Sequence, residues 1–284
     1  MTTPPTPQAP YQQQNWQDAS APLYASPIPV RRATLGDALA SEWTKIRSVR
    51  STMWTLGVMI VLLLGLGLAV AALMNMADTE MGDVPVLSFG FFGVLLGSIC
   101  VITLGVMTIA SEYGTGMIRT TLTACPSRAR VLTAKAVVFF LLTFVITTVT
   151  TTLVGALQTS ILGGVAPTGG EWLRATVGVG LYIATLGLLS LAVGALIRHS
   201  AGAITVMIGV VLLPLVLGMF MFATSLSAVQ KALFEYSIPS QLSAFYDTSV
   251  TGSGPTGWEP LWIMLGVTGV ALIGAYLSLE KRDA

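Results

Sequence analysis

The sequence predicts an all-α integral membrane protein with six transmembrane helices, and three observations lead to that prediction. Hydrophobic residues make up 54% of the 284 residues and charged residues only 10%, whereas soluble domains carry about 25% charged residues. Six apolar segments are each long enough to cross a hydrocarbon core about 30 Å thick as a helix. The basic residues collect on one side of these segments, so the spans have a predicted direction.

Residues 1–30 precede the first apolar segment and differ in composition from the rest of the chain. They contain seven of the 14 prolines and five glutamines, and neither lysine nor arginine. A signal peptide needs a basic start and an apolar core, and this segment has neither. Its composition also cannot bury enough apolar surface to offset the entropy of ordering. We therefore expect a disordered cytoplasmic tail over residues 1–30 and a membrane domain over residues 31–284.

An amphipathic helix is predicted at about residues 34–52, directly before the first span. Thr34 and Asp37 have the spacing of a capping box, which starts a helix. Apolar residues then recur every three or four positions in one stripe, made up of Leu35, Leu39, Trp43, Ile46, Val49 and Met53. Basic residues flank the stripe, so the helix is expected to lie in the cytoplasmic surface of the membrane as an interfacial helix.

Six membrane spans follow, because an apolar segment of this length must satisfy its own backbone hydrogen bonds as a helix in lipid. The predicted spans cover residues 53–74, 86–110, 133–158, 175–197, 201–224 and 260–279. The one charged residue within them is Lys135, which is expected to extend its ammonium to the membrane surface. Gly93 and Gly97 form a G-x-x-x-G pair that suits close helix packing or a dimer seam.

A mild polar stripe runs along the third span, at Thr143, Thr147, Thr151 and Gln158. Such side chains can line a translocation path. They can equally form hydrogen bonds between helices, or back to the carbonyl groups of their own helix. The sequence is compatible with both a translocation path and hydrogen bonding within the bundle.

The distribution of lysine and arginine sets the direction of the spans. Twelve of the 14 basic residues lie in the N-terminal segment, in the connections after the second and fourth spans, and in the C-terminal tail. Only Arg174 and Lys231 lie on the other side. Both termini are therefore expected in the cytoplasm, in a multi-pass protein of the cell membrane.

Several functions are disfavoured by what the sequence lacks. A net charge of +1 gives no field that would attract nucleic acid. The single histidine, His199, leaves little for a Ser-His dyad or a multi-histidine metal centre. None of the four lysines follows the G-x-x-x-x-G pattern of a phosphate-binding loop. We therefore expect a chain that is not an enzyme and holds no cofactor or metal, so energy for uphill transport must come from another subunit.

Residues 111–126, SEYGTGMIRTTLTACP, place a polar passage between the second and third spans. Two glycines let the chain turn out of the membrane, Thr115 is expected to cap a short helix, and Pro126 ends it. Arg119 and the neighbouring threonines form a polar face directed at the cytoplasm. A plain loop could be much shorter, which favours a docking role for this segment.

Two stretches carry a family resemblance: ALASEWTKIRSVRSTMWTL at 38–56 and ASEYGTGMIRTTLTACPSRARVLTAKAV at 110–137. They resemble permease subunits of the type-2 ABC exporter superfamily, in the small actinobacterial form. The order of parts agrees over roughly residues 34–284, with an interfacial helix, six spans and both termini inside. The resemblance is informative about the family and carries no information about the cargo.

The resemblance implies an assembly in which two permease subunits pair, as a homodimer or heterodimer. Each subunit would sit on a cytoplasmic ATPase subunit that binds ATP and magnesium. Segment 111–126 would act as the coupling helix between them. The residues that match the family pattern E-Y-x-x-G-x-I/L-R, and so inherit the docking role, are Glu112, Tyr113, Gly114, Thr115 and Arg119. The outer helical connection is expected over residues 225–257. The resemblance implies re-entrant helices in its amphipathic stretch, residues 225–245, although an ordinary outer helix fits the same pattern.

The leading hypothesis is therefore the membrane-spanning permease subunit of an ABC exporter, powered by a separate ATPase. One alternative is a secondary transporter. The lack of charged groups at depth counts against proton coupling, while sodium coupling through carbonyls and hydroxyls is weakened only. Another alternative is a membrane anchor or scaffold for a cytoplasmic ATPase, which would share the same docking surface.

Overall fold

The computed structural model describes residues 33–77, 84–163, 165–248 and 252–281, and within these ranges the chain is helical and contains no β-strand. The predicted tail, residues 1–30, lies outside the described residues. Eleven α-helices occur in the described ranges: α1 Leu35–Ser48, α2 Arg50–Met76, α3 Phe91–Gly114, α4 Met117–Ala124, α5 Arg128–Leu162, α6 Gly169–Leu173, α7 Val179–Ile197, α8 Ser200–Phe220, α9 Ser227–Glu235, α10 Ile238–Ser243 and α11 Glu259–Lys281.

The described ranges also contain four short helical turns of other types, one of which, the 3₁₀ turn Thr224–Leu226, precedes α9. A 3₁₀ turn, Val86–Gly90, leads into α3, a π-helical turn, Arg174–Gly178, joins α6 to α7, and a 3₁₀ turn, Ala244–Tyr246, follows α10. Of these last three turns, the first two lengthen spans that cross the bundle. The third continues a buried segment at one end of it.

Within the described ranges, six helices are long and apolar enough to cross a membrane, which confirms the predicted number of spans. They cover Arg50–Met76, Val86–Gly114, Arg128–Leu162, Gly169–Ile197, Ser200–Phe220 and Glu259–Lys281. The third has 35 residues and is therefore roughly 52 Å long at 1.5 Å per residue. Because that exceeds the hydrocarbon thickness, α5 must extend well beyond it.

The centre of the bundle is α7, which contacts α3, α5, α8 and α11. In the apolar part of the span that contains α7, 72% of the residues are buried. The corresponding fraction is 22% for α8 and for α11. The outer helices therefore present most of their apolar side chains away from the protein, as expected for surfaces that face lipid.

Close helix contacts are made at glycines. A Cβ atom placed on Gly105 of α3 would lie 2.5 Å from the carbonyl oxygen of Gly187 on α7. A Cβ atom on Gly93 would lie 2.8 Å from the carbonyl oxygen of Leu63 on α2. The G-x-x-x-G pair of the second span therefore packs against α2 within this chain, and α3 approaches both neighbours at backbone distance.

The connection before the last span folds into the bundle. Leu242 and Phe245 have no exposed surface, and the ring of Phe245 lies 5.5 Å from that of Tyr182 and 6.3 Å from that of Trp258. This part of the predicted outer connection is therefore buried among the helices, while α9, which precedes it, has no buried residue.

Candidate functional site

Helix α1 begins at the predicted capping box. The backbone N–H of Asp37 donates to Thr34 Oγ1 at 3.3 Å, and the backbone N–H of Thr34 donates to Asp37 Oδ2 at 2.8 Å. Most of the predicted apolar stripe faces outward, since Leu35 and Trp43 are exposed. The face turned to the bundle buries Ile46 together with a carboxylate, Glu42.

Four charged side chains from three helices form a closed ring of ion pairs, which we call the ion ring: Glu42 and Lys45 of α1, Glu112 of α3 and Lys135 of α5. Lys45 Nζ lies 2.8 Å from Glu42 Oε1 and 2.8 Å from Glu112 Oε1. Lys135 Nζ lies 2.9 Å from Glu42 Oε2 and 2.7 Å from Glu112 Oε1. Each lysine therefore bridges both carboxylates, and α1 is joined to the end of α3 and the beginning of α5.

Burial makes the ion ring sensitive to the loss of any member. Glu42, Glu112 and Lys135 are 5%, 6% and 1% exposed. Moving a charge out of water costs several kcal/mol, and here two positive charges meet two negative ones at hydrogen-bond distance. The attraction offsets that cost only while all four partners are present, so the ion ring specifies how three helices pack.

The structure corrects the expectation for Lys135. Its ammonium does not reach the surface but lies inside the bundle, where it also donates to the backbone carbonyl of Thr108 at 3.3 Å. The hydropathy pattern places Lys135 near the end of the third span, but it cannot indicate that Glu42 lies next to this lysine in the fold. That carboxylate comes from a helix 93 residues earlier.

Two adjacent residues in the last turn of α3, Glu112 and Tyr113, contact different helices. Glu112 belongs to the ion ring, and Thr121 of α4 lies 3.5 Å from its second carboxylate oxygen. Tyr113 carries the guanidinium of Arg198 4.9 Å above its ring. Arg198 lies in the tight turn between α7 and α8 with a φ of 58°, so this turn contacts the end of α3.

Helix α4 starts directly after this anchored end. Its N-cap is Gly116 in the left-handed conformation, with a φ of 73°, which glycine adopts without strain. The predicted cap, Thr115, is not the cap, because its hydroxyl donates to the carbonyl of Ser111 at 2.8 Å. Ile118 is buried under α4, whereas Arg119 is exposed.

The predicted docking residues therefore fall into two groups. Gly114, Thr115 and Arg119 are exposed, with Thr120 and Thr123 beside them on α4. Glu112 is buried and Tyr113 is partly buried. The family pattern thus combines an outer surface with the side chains that attach this surface to the bundle, and the docking role itself stays a prediction.

The first turns of α5 connect the same region to both ends of the described chain. Arg130 Nη1 donates to the carbonyl of Ala33 at 2.6 Å, and Arg128 Nη1 donates to the carbonyl of Leu279 at 2.5 Å. Ser127 caps α5 by accepting from the backbone N–H of Arg130, as expected of a helix-capping serine. We call this end of the bundle, with α1, α4 and the start of α5, the basic end.

The polar stripe predicted on the third span lies in the interior. Thr143, Thr147, Thr151 and Gln158 are all buried. Gln158 Nε2 donates to the carbonyl of Gly67 on α2 at 3.0 Å, and Thr151 donates to the carbonyl of Thr147 at 2.9 Å. Of these four residues, Thr151 and Gln158 line a small cavity, whose lining also includes Thr176 and Tyr246. The Gln158 contact is a hydrogen bond between helices, and the Thr151 contact is a bond back to its own helix. The role in a path stays a prediction.

The pH dependence of the ion ring can be tested at Lys45. Burial lowers the pKa of Lys45, but its hydrogen bonds to Glu112 and Glu42 and their charges outweigh burial, so the pKa lies above 10.5. A raised lysine pKa stabilises the fold fully below the unfolded value, and this contribution is lost as pH rises through the folded value. We expect thermal unfolding to become easier as pH rises beyond about 10.5.

Lys45→Arg is the matched control, because arginine stays protonated over this range. The variant should keep its stability to higher pH than the native chain. Identical alkaline profiles for the two proteins would contradict a contribution from Lys45.

Among the described residues, no group of three or more His, Cys, Asp or Glu side chains is arranged to hold a metal ion. The two carboxylates of the ion ring, Glu42 and Glu112, are paired with Lys45 and Lys135.

Comparison with known proteins gives the family. Residues 38–222 match the family model described as "ABC-2 family transporter protein". The matched region is well over half of the chain and includes the ion ring and α4. No curated protein matches the chain. With six helices that can cross a membrane, the chain belongs to the ABC-2 transporter family as a multi-pass membrane protein of the permease type.

Proposed function

We propose that this chain is the permease subunit of an ABC exporter and that its basic end receives force from a cytoplasmic ATPase subunit. The observation that carries the proposal is the position of α4. This helix exposes Arg119, Thr120 and Thr123, and it is joined to α3 directly beside the buried ion ring. An outer surface is thus attached to a rigid internal connection between helices.

The charge distribution supports a cytoplasmic location for the basic end. Twelve of the 14 lysines and arginines lie in four places: residues 31–50, α4 with the first turns of α5, the α7–α8 turn, and residues 281–282. Cytoplasmic loops carry such an excess in membrane proteins. In this orientation both termini and α4 are cytoplasmic, and α1 lies along the inner surface of the cell membrane with Leu35 and Trp43 exposed to lipid.

The contacts offer a route for movement. Displacement of α4 acts on the end of α3, where Glu112 contacts α1 and α5 through the ion ring. The next residue, Tyr113, contacts Arg198 in the α7–α8 turn. One short helix can therefore act as the coupling helix for most of the bundle, because two adjacent residues at its base contact different groups of helices.

A groove between α1 and α4 supports docking of a protein partner. It has a volume of about 400 Å³ and is lined mainly by small side chains, among them Ala38, Ser41, Thr120 and Ala124. Small side chains let a partner backbone or an apolar side chain approach closely. We infer that the ATPase contacts α1 and α4 together. ATP and magnesium bind in that partner, and a second permease subunit completes the transporter.

Charge reversal on α4 tests the docking surface. Arg119→Glu is expected to reduce recovery of the ATPase with the permease by about tenfold, which corresponds to about 1.4 kcal/mol of binding free energy. The measurement is co-purification from the native membrane, with the partner detected by ATP hydrolysis. Because Arg119 is exposed, the stability of the permease should not change.

Lys231→Glu is the control, since Lys231 is 60% exposed on α9 and not in the basic end. This variant should retain the ATPase. Equal recovery of ATP hydrolysis with Arg119→Glu and with the native chain would refute docking on α4.

A further inference from the structure

A cleft opens beside the ion ring, between α1, α2, α3 and α5. Its volume is about 200 Å³. One part is apolar and the other polar, so we call it the amphipathic cleft; its lining includes Leu56, Leu104, Phe139, Leu142, Thr108, Ser111, Glu112 and Thr115. Met107, which is 37% exposed, also lines it, so the cleft reaches the outer surface of the bundle.

The strongest hydrogen-bond donors near the cleft are already engaged. A lysine ammonium has three N–H donors. Lys45 uses them on Glu42, Glu112 and Thr121, and Lys135 uses them on Glu42, Glu112 and the carbonyl of Thr108. Neither ammonium has an N–H left for a ligand.

Acceptor oxygens remain on the polar side of the cleft. The hydroxyls of Thr108, Ser111 and Thr115 donate to carbonyls of their own helix at 2.7, 2.5 and 2.8 Å. A hydroxyl oxygen that donates its hydrogen keeps two lone pairs for an incoming donor. A ligand that forms hydrogen bonds with these hydroxyl oxygens must therefore carry hydrogen-bond donors.

The charge at the cleft selects against ionic ligands. The ion ring contains two carboxylates and two ammonium groups, each paired at 2.9 Å or less. A charged ligand head would gain no unpaired countercharge there and would lose its hydration. Uncharged hydroxyl groups supply donors without that cost.

We propose that the amphipathic cleft binds an amphiphile that has an uncharged, hydroxyl-bearing head and a hydrocarbon tail. The volume equals that of roughly six or seven water molecules at about 30 Å³ each, which suits one sugar-sized head. The head faces Thr108, Ser111 and Thr115, and the tail passes Leu104 and Met107 toward the membrane. The cleft adjoins the docking groove, and both are lined by Glu42, Lys45 and Met117. Binding of the amphiphile needs no ATPase.

The test uses the purified full chain in phosphatidylcholine nanodiscs, without any ATPase, so its result is independent of the docking experiment. Radiolabelled decyl glucoside is the probe, and unlabelled decyl glucoside, decyltrimethylammonium and decyl sulfate are the competitors. All three have the same tail. Decyl glucoside should displace the probe at a concentration at least tenfold lower than either charged competitor.

Substitutions locate the site. Met107→Trp should fill the edge of the cleft and weaken probe binding at least tenfold. Thr108→Val and Ser111→Ala should each weaken it about two- to tenfold, the range for one lost hydrogen bond. The controls lie on α3 outside the cleft: Ile99→Trp, at another exposed apolar position, and Thr103→Val, which removes a hydroxyl bonded to its own helix.

Three results would overturn the proposal: no saturable probe binding, equal displacement by the three competitors, or equal losses in the cleft variants and their controls. Met107→Trp and Ile99→Trp both change exposed residues, so a comparison between them does not depend on repacking the core.

Discussion

Replacing Lys135 by methionine is expected to lower the free energy of unfolding by about 3–5 kcal/mol, the range for removing one partner of a buried ion pair. Lys135 is 1% exposed and bridges Glu42 and Glu112. Methionine has a similar length, so the effect reports charge more than volume. Without this ammonium, two buried carboxylates share only Lys45, and their mutual repulsion is no longer balanced.

A double variant separates the ion ring from general damage to the core. Glu112→Gln removes one of the two carboxylates, so Lys135→Met combined with Glu112→Gln should be destabilised by less than the sum of the two single effects. Lys231→Met is the surface control. The Lys231–Glu235 pair is exposed at its lysine and separated by 3.6 Å, so this change should cost less than about 1 kcal/mol.

Denaturant titration in detergent measures the free energy of unfolding of the native chain and of the four variants. A loss for Lys135→Met no greater than that for Lys231→Met would contradict the structural role of the ion ring. Strict additivity of the double variant would show that Lys135 and Glu112 act independently.

Alanine at Gly105 is the second large effect expected. Its Cβ would lie 2.5 Å from the carbonyl oxygen of Gly187 and 3.0 Å from Ser190 Cβ. A backbone oxygen cannot move aside as a flexible side chain can, so α3 and α7 must separate. Overpacking of this kind costs about 1–3 kcal/mol, and α7 is the most buried span of the bundle.

Glycine positions with open space provide the control. A Cβ atom at Gly209 of α8 or at Gly266 of α11 meets nothing within 4 Å. Alanine there should leave stability unchanged or raise it by up to about 1 kcal/mol, because alanine is the better helix former. The same titration applies, and equal effects at Gly105 and Gly209 would contradict the close approach of α3 to α7.

The position of Glu112 shows which features of the docking segment a sequence motif can predict and which it cannot. The pattern around Glu112, Tyr113 and Arg119 led to a single docking surface. In the structure Arg119 is outside, whereas Glu112 is inside the ion ring. Sequence spacing along α3 and α4 cannot separate these roles, because both residues lie near a helix end in a polar segment. The distinction comes from Lys135 and Glu42, which reach Glu112 from other helices.

Helix α1 shows a similar division. Its capping box and its amphipathic pattern could be read directly, and the helix starts where Thr34 and Asp37 indicate. The buried face, however, is centred on Glu42 and Ile46 and not on Trp43. An apolar stripe predicts one buried face when the surroundings are water. Beside a membrane, apolar side chains can face lipid, while a carboxylate turns inward if the bundle supplies a cation.

The sequence by itself determined the number of spans, their approximate extent, the cap of α1, and the family to which the chain belongs. These features depend on local hydropathy, charge and spacing, which a single chain displays in order. Only the tertiary structure decided that Lys135 is paired within the bundle, that Glu112 is internal, and that acceptor oxygens line a cleft beside them. Those outcomes depend on residues 23 to 93 positions apart, which meet only because packed helices bring them together.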